Sequence, residues 1–436
     1  MTIKLIDMSN SVKIAIIVEV KKREMPFMSI LNEVLKIKGY NVRLIPFRSM
    51  CTWKLLFFKP DIILINGLRT IDPYFIKQIY IPKKLFKSKI ACYYSEQVGY
   101  YDKSIAEDYK NKVILDNVDY HISWGPRFSK DLMTMGVPEN KLWYIGSLQY
   151  DIDKYLKKTS ESIKQGLSIK YNIPFDREWI MYADNIVEQY QPKDLYELRR
   201  QDTFEMVEKV SETNKNSVII FRHHPDSTLA EIEVARKRFA DRDNIYVISE
   251  GHIFDWTCGI SALIMWNSTS SLQVMFMGKP VFGFMTSDGK NLENYWYKDI
   301  FPTFEDASSL AQAVHEVLNG DFKENKQVEI NKEKYISDWY FKKDGFSFER
   351  MCYLMGIISQ ENFQPLKGDI HYNVFKCSEI LYYEIRSWIG DIIKGRSIER
   401  NVTSVDIKDE LKKYDLSNFA DMNFTVRQNE SGNYLE

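Results

Sequence analysis

Two adjacent histidines after an apolar run are the first chemistry this chain offers. Phe221–Ser227 reads FRHHPDS and follows the run SVIIF. Pro225 disfavours the α region for His224, which fixes the imidazole and main chain at a strand's carboxyl end. An imidazole there can donate a hydrogen bond to a phosphate; Arg222 can add charge, with His223 and Pro225 completing a binding turn. The same residues also suit a turn that only caps a sheet. A second segment, Ala262–Phe284, holds an apolar run that ends in Asn267-Ser268-Thr269-Ser270-Ser271 and leads into a helix. Hydroxyls are good N-caps, and free N–H groups at a helix start favour an anion. One Ser or Thr satisfies a cap, so four in a row point to phosphate.

Carboxylates follow two other apolar runs. Tyr93–Asp102 reads YYSEQVGYYD. A general base must come within hydrogen-bond reach of the hydroxyl it deprotonates, and Glu96 is the candidate, with Asp102 in reserve. A plain surface loop accounts for Glu96 equally well. Glu19–Phe27 reads EVKKREMPF, where Arg23 and Glu24 either line the same cleft or form a structural ion pair. Asp151-Ile152-Asp153 has the look of a metal-binding aspartate pair but has no flanking apolar strand. With no zinc-ligand spacing and no glycine-rich Lys-Ser/Thr loop, no metal site is expected.

The elements that must position these residues alternate. Val12–Val20, Val42–Phe47, Asp61–Asn66, Ile90–Ser95 and Tyr120–Trp124 are strand-length apolar runs, with a helix predicted over Met28–Lys38. A second series runs through Trp179–Ala183, Ser217–Phe221, Asn244–Ile248, Ala262–Trp266 and Pro280–Phe284. Its helices are predicted over Thr203–Glu212, Leu229–Phe239, Ser270–Met277 and Ala307–Leu318. Apolar strands alternating with helices imply parallel sheets covered on both faces. The fold expected is α/β: two tandem Rossmann-like domains over 1–160 and 161–358, with a C-terminal helical extension and polar tail over 359–436. In open parallel sheets ligands bind beyond the strands' carboxyl ends, so the expected site is a cleft between the two domains. In the extension, Ile370, Val374, Cys377, Leu381, Ile385, Trp388 and Ile392 fall on one helical stripe, expected to pack into a core rather than to form a membrane or partner face. Residues 401–436 carry a net of −3 and are expected to run from order into disorder.

The chain has 436 residues, 44% of them hydrophobic, which is enough for two or three cored domains. Five scattered Cys without a CxxC pair suit a reducing compartment. The N-terminal apolar run lacks a small-residue cleavage site and reads as a strand, and no apolar run reaches membrane-spanning length. A cytoplasmic protein is expected. Its net charge of −1 hides an asymmetry: residues 1–90 hold 17 Lys and Arg against 6 Asp and Glu, a net of +11, and the remainder nets −12. Either the first domain is an ordinary basic surface or it meets an anionic partner. Trp53–Lys59 (WKLLFFK) with Lys83, Lys84, Lys87 and Lys89 suggests peripheral binding to the inner membrane face. Near-neutral overall charge and the absence of a reading motif argue against nucleic acid.

Over residues 12–358 these features resemble GT-B-fold glycosyltransferases of surface carbohydrate (capsule and lipopolysaccharide) biosynthesis. The His-Pro motif at 223–225 is similar to that of bacterial transferases using cytidine nucleotides: polysialyltransferases, capsule Kdo transferases and CDP-glycerol glycerophosphotransferases. Their hydroxyl-rich motif resembles Ser268–Ser271 and holds the donor phosphate. The resemblance implies transfer of a sugar from a CMP-linked nucleotide donor to a glycan or lipid-linked acceptor. No cofactor is needed beyond that co-substrate. In relatives an acidic residue in a first-domain loop is the base; the loop here reads SEQVG rather than an acidic pair before Gly. Gln273 stands near the position where many such enzymes place a ribose-binding Glu. A nucleotide-sugar 2-epimerase of the same fold, a CDP-glycerol-type polymer transferase and a non-catalytic glycan-binding subunit are the alternatives.

Overall fold

The computed structural model describes residues 11–67, 72–97, 110–156, 159–291, 297, 299–368, 370, 372, 374–393, 402–419, 422 and 424–436. Among these the chain forms two compact units. Everything up to 156 together with everything from 336 onward makes the first; 159–335 makes the second.

The first unit opens with β1 (Lys13–Val18), α1 (Lys21–Ile37), β2 (Asn41–Pro46), α2 (Cys51–Phe58) and β3 (Ile62–Ile65). It continues through α3 (Ile81–Phe86), β4 (Lys89–Tyr93), α4 (Lys112–Asn117), β5 (Tyr120–Ser123), α5 (Pro126–Thr134) and β6 (Leu142–Tyr144). β3 is buried along its whole length, as a strand covered on both faces must be. The second unit follows with α6 (Ser160–Tyr171), β7 (Trp179–Ala183), α7 (Lys193–Thr213), β8 (Val218–Arg222), α8 (Leu229–Arg238), β9 (Ile245–Ile248) and α9 (Ile253–Gly259). Then come β10 (Ala262–Met265), α10 (Ser270–Phe276), β11 (Val281–Phe284), β12 (Thr303–Phe304) and α11 (Ala307–Asn319). α12 (Lys326–Tyr340) carries the chain back to the first unit, which adds α13 (Ser347–Gln360), α14 (Val374–Ile393), α15 (Ser404–Leu411), β13 (Val426–Asn429) and β14 (Gly432–Leu435).

The second sheet has the order β12-β11-β10-β7-β8-β9, all parallel. This is a Rossmann order, with its topological switch point between β7 and β10. The first sheet runs β13-β14-β6-β5-β4-β3-β1-β2. Its β2-β1-β3-β4-β5 portion is parallel with a flavodoxin-like order, which puts the switch point between β1 and β3.

The expected strands are all present within about two residues of their predicted ends. The C-terminal boundaries differ. Residues 336–358, assigned by the pattern to the second domain, and 359–436, assigned to an extension, both pack in the first unit. The cause is a set of buried polar ties. Asp151 accepts from the Ser347 amide at 2.9 Å and its hydroxyl at 2.5 Å. Burial pushes the Asp151 carboxyl up to about 6. Arg350 donates to the Leu435 carbonyl at 3.0 Å. The polar tail closes as a hairpin, whose β14 joins β6 in parallel.

Basic residues of the first 90 also spend their charge internally. Lys83, expected at a membrane-facing surface, is buried on Asp119 at 2.7 Å and on the Gln364 carbonyl at 2.8 Å. Lys89 donates to the carbonyls of Ile358 and Ser359, at the end of α13. Lys84, Lys87 and Lys59 stay exposed.

α14 departs furthest from expectation. Its apolar stripe is only partly core: Ile370 and Cys377 pack against the first unit's core, whereas Val374 is 81% exposed, Trp388 41% and Ile392 50%. Its buried residues are Ile380, Glu384 and Asp391. Glu384 accepts from the Thr52 amide and hydroxyl, each at 3.1 Å, and pairs with Lys77 at 3.0 Å. Removing one member of a buried pair leaves the other uncompensated, at about 3–5 kcal/mol. Glu384→Ala is therefore expected to destabilise the protein by about that amount in denaturant titration. A loss under about 1 kcal/mol would show that the tie does not hold the helix.

Candidate functional site

The second unit's switch point carries the strongest constellation. β7 ends in Ala183 and releases Asp184-Asn185 between the ends of β8 and β10, which lie about 10 Å apart, two strand spacings. On one side, Asp184 Oδ2 stands 3.3 Å from His223 Nδ1 and bonds Arg200 of α7 at 2.8 Å. On the other, Asn185 Nδ2 donates to the Asn267 carbonyl. The His-Pro turn and the hydroxyl tract, expected to share a site, are thus joined through one dipeptide. The sequence reading missed Asp184-Asn185; its signal was two polar residues directly after the buried strand WIMYA.

The His-Pro turn is locally determined. The His223 amide donates to the Ile248 carbonyl of β9 at 2.8 Å, continuing the sheet by one residue. After Pro225, Ser227 donates back to the His224 carbonyl. Thr228 and Glu231 then form a reciprocal capping box that starts α8. His224 accepts the Asp226 amide on Nδ1 at 3.2 Å. Burial pulls its pKa below the usual imidazole range, against the pull of Asp226. A neutral ring accepting on Nδ1 carries its proton on Nε2, so His224 presents an N–H donor. Its side chain is 35% exposed.

His223 and Arg222 differ from the expectation that they reach a ligand. His223 is buried, with neither ring nitrogen in hydrogen-bonding geometry. Arg222 is buried and donates to the Gly251 carbonyl at 2.9 Å, tying the ends of β8 and β9. Burial pushes its pKa down to about 10. Gly251 has φ +83°, and a Cβ there would meet the Trp256 indole nitrogen at 2.7 Å, so only glycine suits this tie.

In the hydroxyl tract, Ser271 is buried and its Oγ donates to the Ser268 carbonyl at 2.7 Å. Ser268 and Ser270 share a hydroxyl–hydroxyl bond of 2.7 Å, and Thr269 is exposed. Thr269, the residue preceding α10, makes no side-chain cap bond; among the hydroxyls it is Ser268 Oγ that accepts an amide at the helix start, from Ser270 at 3.4 Å. Asn267 and Gln273 are half-buried. Beside the tract, Arg199 of α7 bonds Asp288 at 2.8 Å and lies over the Trp266 ring at 4.6 Å.

Burial would raise the Asp184 carboxyl, but Arg200 and His223 outweigh it and hold it below the ordinary range. The order of lost partners follows. Asp184→Ala strands a buried guanidinium and is expected to cost about 3–5 kcal/mol, whereas a well-packed Asp184→Leu/Arg200→Met pair costs much less.

The first unit gathers its carboxylates at its own switch point. Glu24 is buried, accepting from the amides of Glu19 at 2.8 Å and Val20 at 3.2 Å and from Asn66 Nδ2 at 2.7 Å. Burial raises its pKa, with Arg23 opposing. Asn66 Oδ1 accepts the Ser95 amide at 3.1 Å, so one side chain ties the ends of β1, β3 and β4. Glu96 follows, between Ser95 and the buried Gln97, and bonds Arg23 at 3.1 Å. Arg23, Glu24 and Glu96 are therefore together as expected, with Glu24 acting as a helix-start anchor. Asp102 lies outside the described residues. Asn66 and Gln97 were missed; a polar residue after an apolar strand was the available signal.

Two measurements check this geometry. In ¹⁵N-labelled protein at pH 7, His224 is expected as the Nε2–H tautomer, and an Nδ1–H signal would contradict the turn. Because the Asp184 pKa is depressed on folding, its stabilisation is present above about pH 4, its unfolded pKa, and is lost as pH falls through the folded value. Urea titrations from pH 7 to pH 3 should show a steeper loss in the wild type than in Asp184→Asn, which keeps the acid sensitivity of other depressed carboxylates such as Glu231 and Asp288.

No family model matches the sequence, and no curated protein matches it. Solved structures do. The wall teichoic acid polymerase TagF superposes with a TM-score of 0.52 at 13% identity, covering 80% of this chain and 88% of that one. S. aureus MnaA, solved with UDP, gives 0.52 at 14%, covering 82% and 100%. A UDP-N-acetylglucosamine 2-epimerase gives 0.51 at 12%, covering 82% and 100%. The likeness is one of fold: this chain has the two Rossmann-like units of the GT-B type.

Proposed function

We propose that the protein is a glycosyltransferase that moves a sugar from a nucleotide donor, a CMP-sugar on the His-Pro reading, to a bacterial surface glycan acceptor. One observation carries this reading: a neutral imidazole N–H donor and a hydroxyl tract stand at the switch point of a Rossmann sheet, fixed to each other through Asp184-Asn185. As the bond from sugar to phosphate breaks, negative charge grows on the departing phosphate. His224 Nε2–H and the hydroxyls of Ser268, Thr269 and Ser270 are the groups to meet it, already oriented before reaction. Glu96 takes the acceptor hydroxyl's proton as the new glycosidic bond forms, with Asp102 in reserve. The reading needs no metal, because the donors themselves offset the leaving group's charge. His223 and Arg222 act as positioning residues for the turn.

The acceptor is a glycan or lipid-linked chain met by the basic first unit at the inner membrane face. No helix among the described residues is long and apolar enough to cross a membrane. A second reading, a nucleotide-sugar 2-epimerase, is favoured by a fold neighbour described as a UDP-N-acetylglucosamine 2-epimerase and by MnaA, solved with UDP; TagF, by contrast, was soaked with CDPG.

A thermal-shift panel of CMP, CDP, UDP, GDP and ADP separates the readings, since a ligand bound only by the folded state raises its stability. A cytidine nucleotide is expected to give the largest shift. UDP leading would favour the epimerase, and so would isomerised nucleotide-sugar formed from donor alone. No shift by any nucleotide would favour a non-catalytic glycan-binding subunit. His224→Ala is expected to lose about 100–1,000-fold in turnover, the usual cost of one charge-stabilising donor. Activity retained within a few-fold would contradict its role.

A further inference from the structure

We propose that Tyr190 is a positioning residue for His224: by engaging the Asp226 carboxylate it leaves His224 Nδ1 to the Asp226 amide, and so keeps the ring an Nε2–H donor. The Asp226 amide lies 3.2 Å from His224 Nδ1. An amide N–H can only donate, so Nδ1 is the bare nitrogen and Nε2 holds the proton. The carboxylate of the same residue competes for that nitrogen, with Asp226 Oδ2 standing 3.7 Å from Nδ1. An approach by about 1 Å would give it a charge-assisted bond, with a proton on Nδ1 and a positive charge on the ring. Tyr190 opposes this exchange. Its hydroxyl donates to the same Oδ2 at 2.7 Å, and its ring meets the imidazole edge-on with centroids 6.4 Å apart.

Tyr190 is exposed, and a polar contact made by an exposed side chain normally stabilises little. Here the chain on both sides of it is fixed. The Glu188 amide donates to Glu231 Oε1 at 3.0 Å, and the Tyr190 amide to the Val187 carbonyl at 3.1 Å. Gln191 Oε1 accepts from Arg199 at 2.6 Å. The charges around His224 show what the hydroxyl contributes. Burial favours the neutral ring most strongly and Arg222 adds to it, while Asp226, Asp184 and Glu231 pull the other way. Each of those carboxylates is committed to another donor. Asp184 is held by Arg200, and Glu231 by the amides of Thr228 and Glu188. Tyr190 does the same for Asp226. This role deepens the proposed function, and rests on that reading only for the phosphate. An imidazolium would attract a donor phosphate, already anionic, before reaction. A neutral N–H holds that ground state less tightly and keeps more of its bond for the charge that grows as the sugar–phosphate bond breaks.

The test follows His224 by ¹⁵N-histidine NMR across pH in the full chain without nucleotide, so its failure is distinguishable from failure of the transferase reading. His224→Ala assigns the signal. In the wild type the ring is expected to titrate below about 6.5, the usual imidazole value, with the Nε2–H form above the midpoint. Tyr190→Phe is expected to raise that midpoint by about one pH unit, as the freed carboxylate pairs with the imidazolium. Its melting temperature should stay within a few degrees of wild type, since the residue is exposed. If it melts early, Tyr190→Leu replaces it. Asp226→Asn removes the competing charge, and in that background Tyr190→Phe should move the midpoint by less than about 0.2 unit. Three results would overturn the proposal. One is a midpoint in Tyr190→Phe within about 0.2 unit of wild type. Another is an upward shift that persists in the Asp226→Asn background. The third is loss of folding in both Tyr190 variants, which would make the residue a structural one.

Discussion

A single buried carboxylate organises the second unit. Asp184 leaves the central strand of a parallel sheet where no water reaches it, and a charge there persists only with a partner. Arg200 supplies that partner from α7, and His223 faces the same oxygen from the neighbouring strand. With Asp184 fixed, Asn185 is placed to hold the backbone of Asn267. The His-Pro turn and the hydroxyl tract leave strands that both pair with β7, and Asp184-Asn185 adds side-chain contacts to each. Such rigidity is what transition-state stabilisation requires, since donors that must reorganise lose much of their effect.

The first unit is governed by charge of opposite sign brought together. The basic N-terminal 90 residues and the acidic remainder meet when the chain returns at residue 336. Lys77 meets Glu384 and Lys21 meets Asp406. Lys83 and Lys89 donate to carbonyls at and beyond the end of α13, where helix-end carbonyls need donors. Part of the asymmetry that suggests an anionic partner is thus structural, and the part left over lies on exposed lysines and beside α14.

What was legible in the sequence follows from which signals are local. The strands WIMYA, SVIIF and ALIMW are short continuous apolar runs bounded by polar residues, and their placement needs no tertiary information. The FRHHPDS turn was readable because proline restricts its neighbour. The return of the chain was not, since it depends on Asp151 meeting Ser347 and on β14 meeting β6, contacts between residues far apart in sequence. The polar hairpin VRQN/GNYL carries little apolar alternation to announce it. α14 misled because periodicity reports that a stripe exists and not how much of it is covered; Glu384, beside Leu381 and Trp388 on the helix, is the side chain held inward, by Thr52 and Lys77. Asp184-Asn185 and Asn66 escaped notice for a similar reason: single polar residues at strand ends are common, and only the bonds they make distinguish them.

A donor's phosphate is expected at the second unit's switch point. A crystal structure of the protein with a bound cytidine or uridine diphosphate measures this directly. The phosphate oxygens are expected within hydrogen-bond reach of His224 Nε2 and of the Ser268–Ser270 hydroxyls, at the carboxyl ends of β7, β8 and β10. Phosphate density at the first unit's Arg23–Glu96 edge instead, with the second unit's switch point unchanged by ligand, would contradict it.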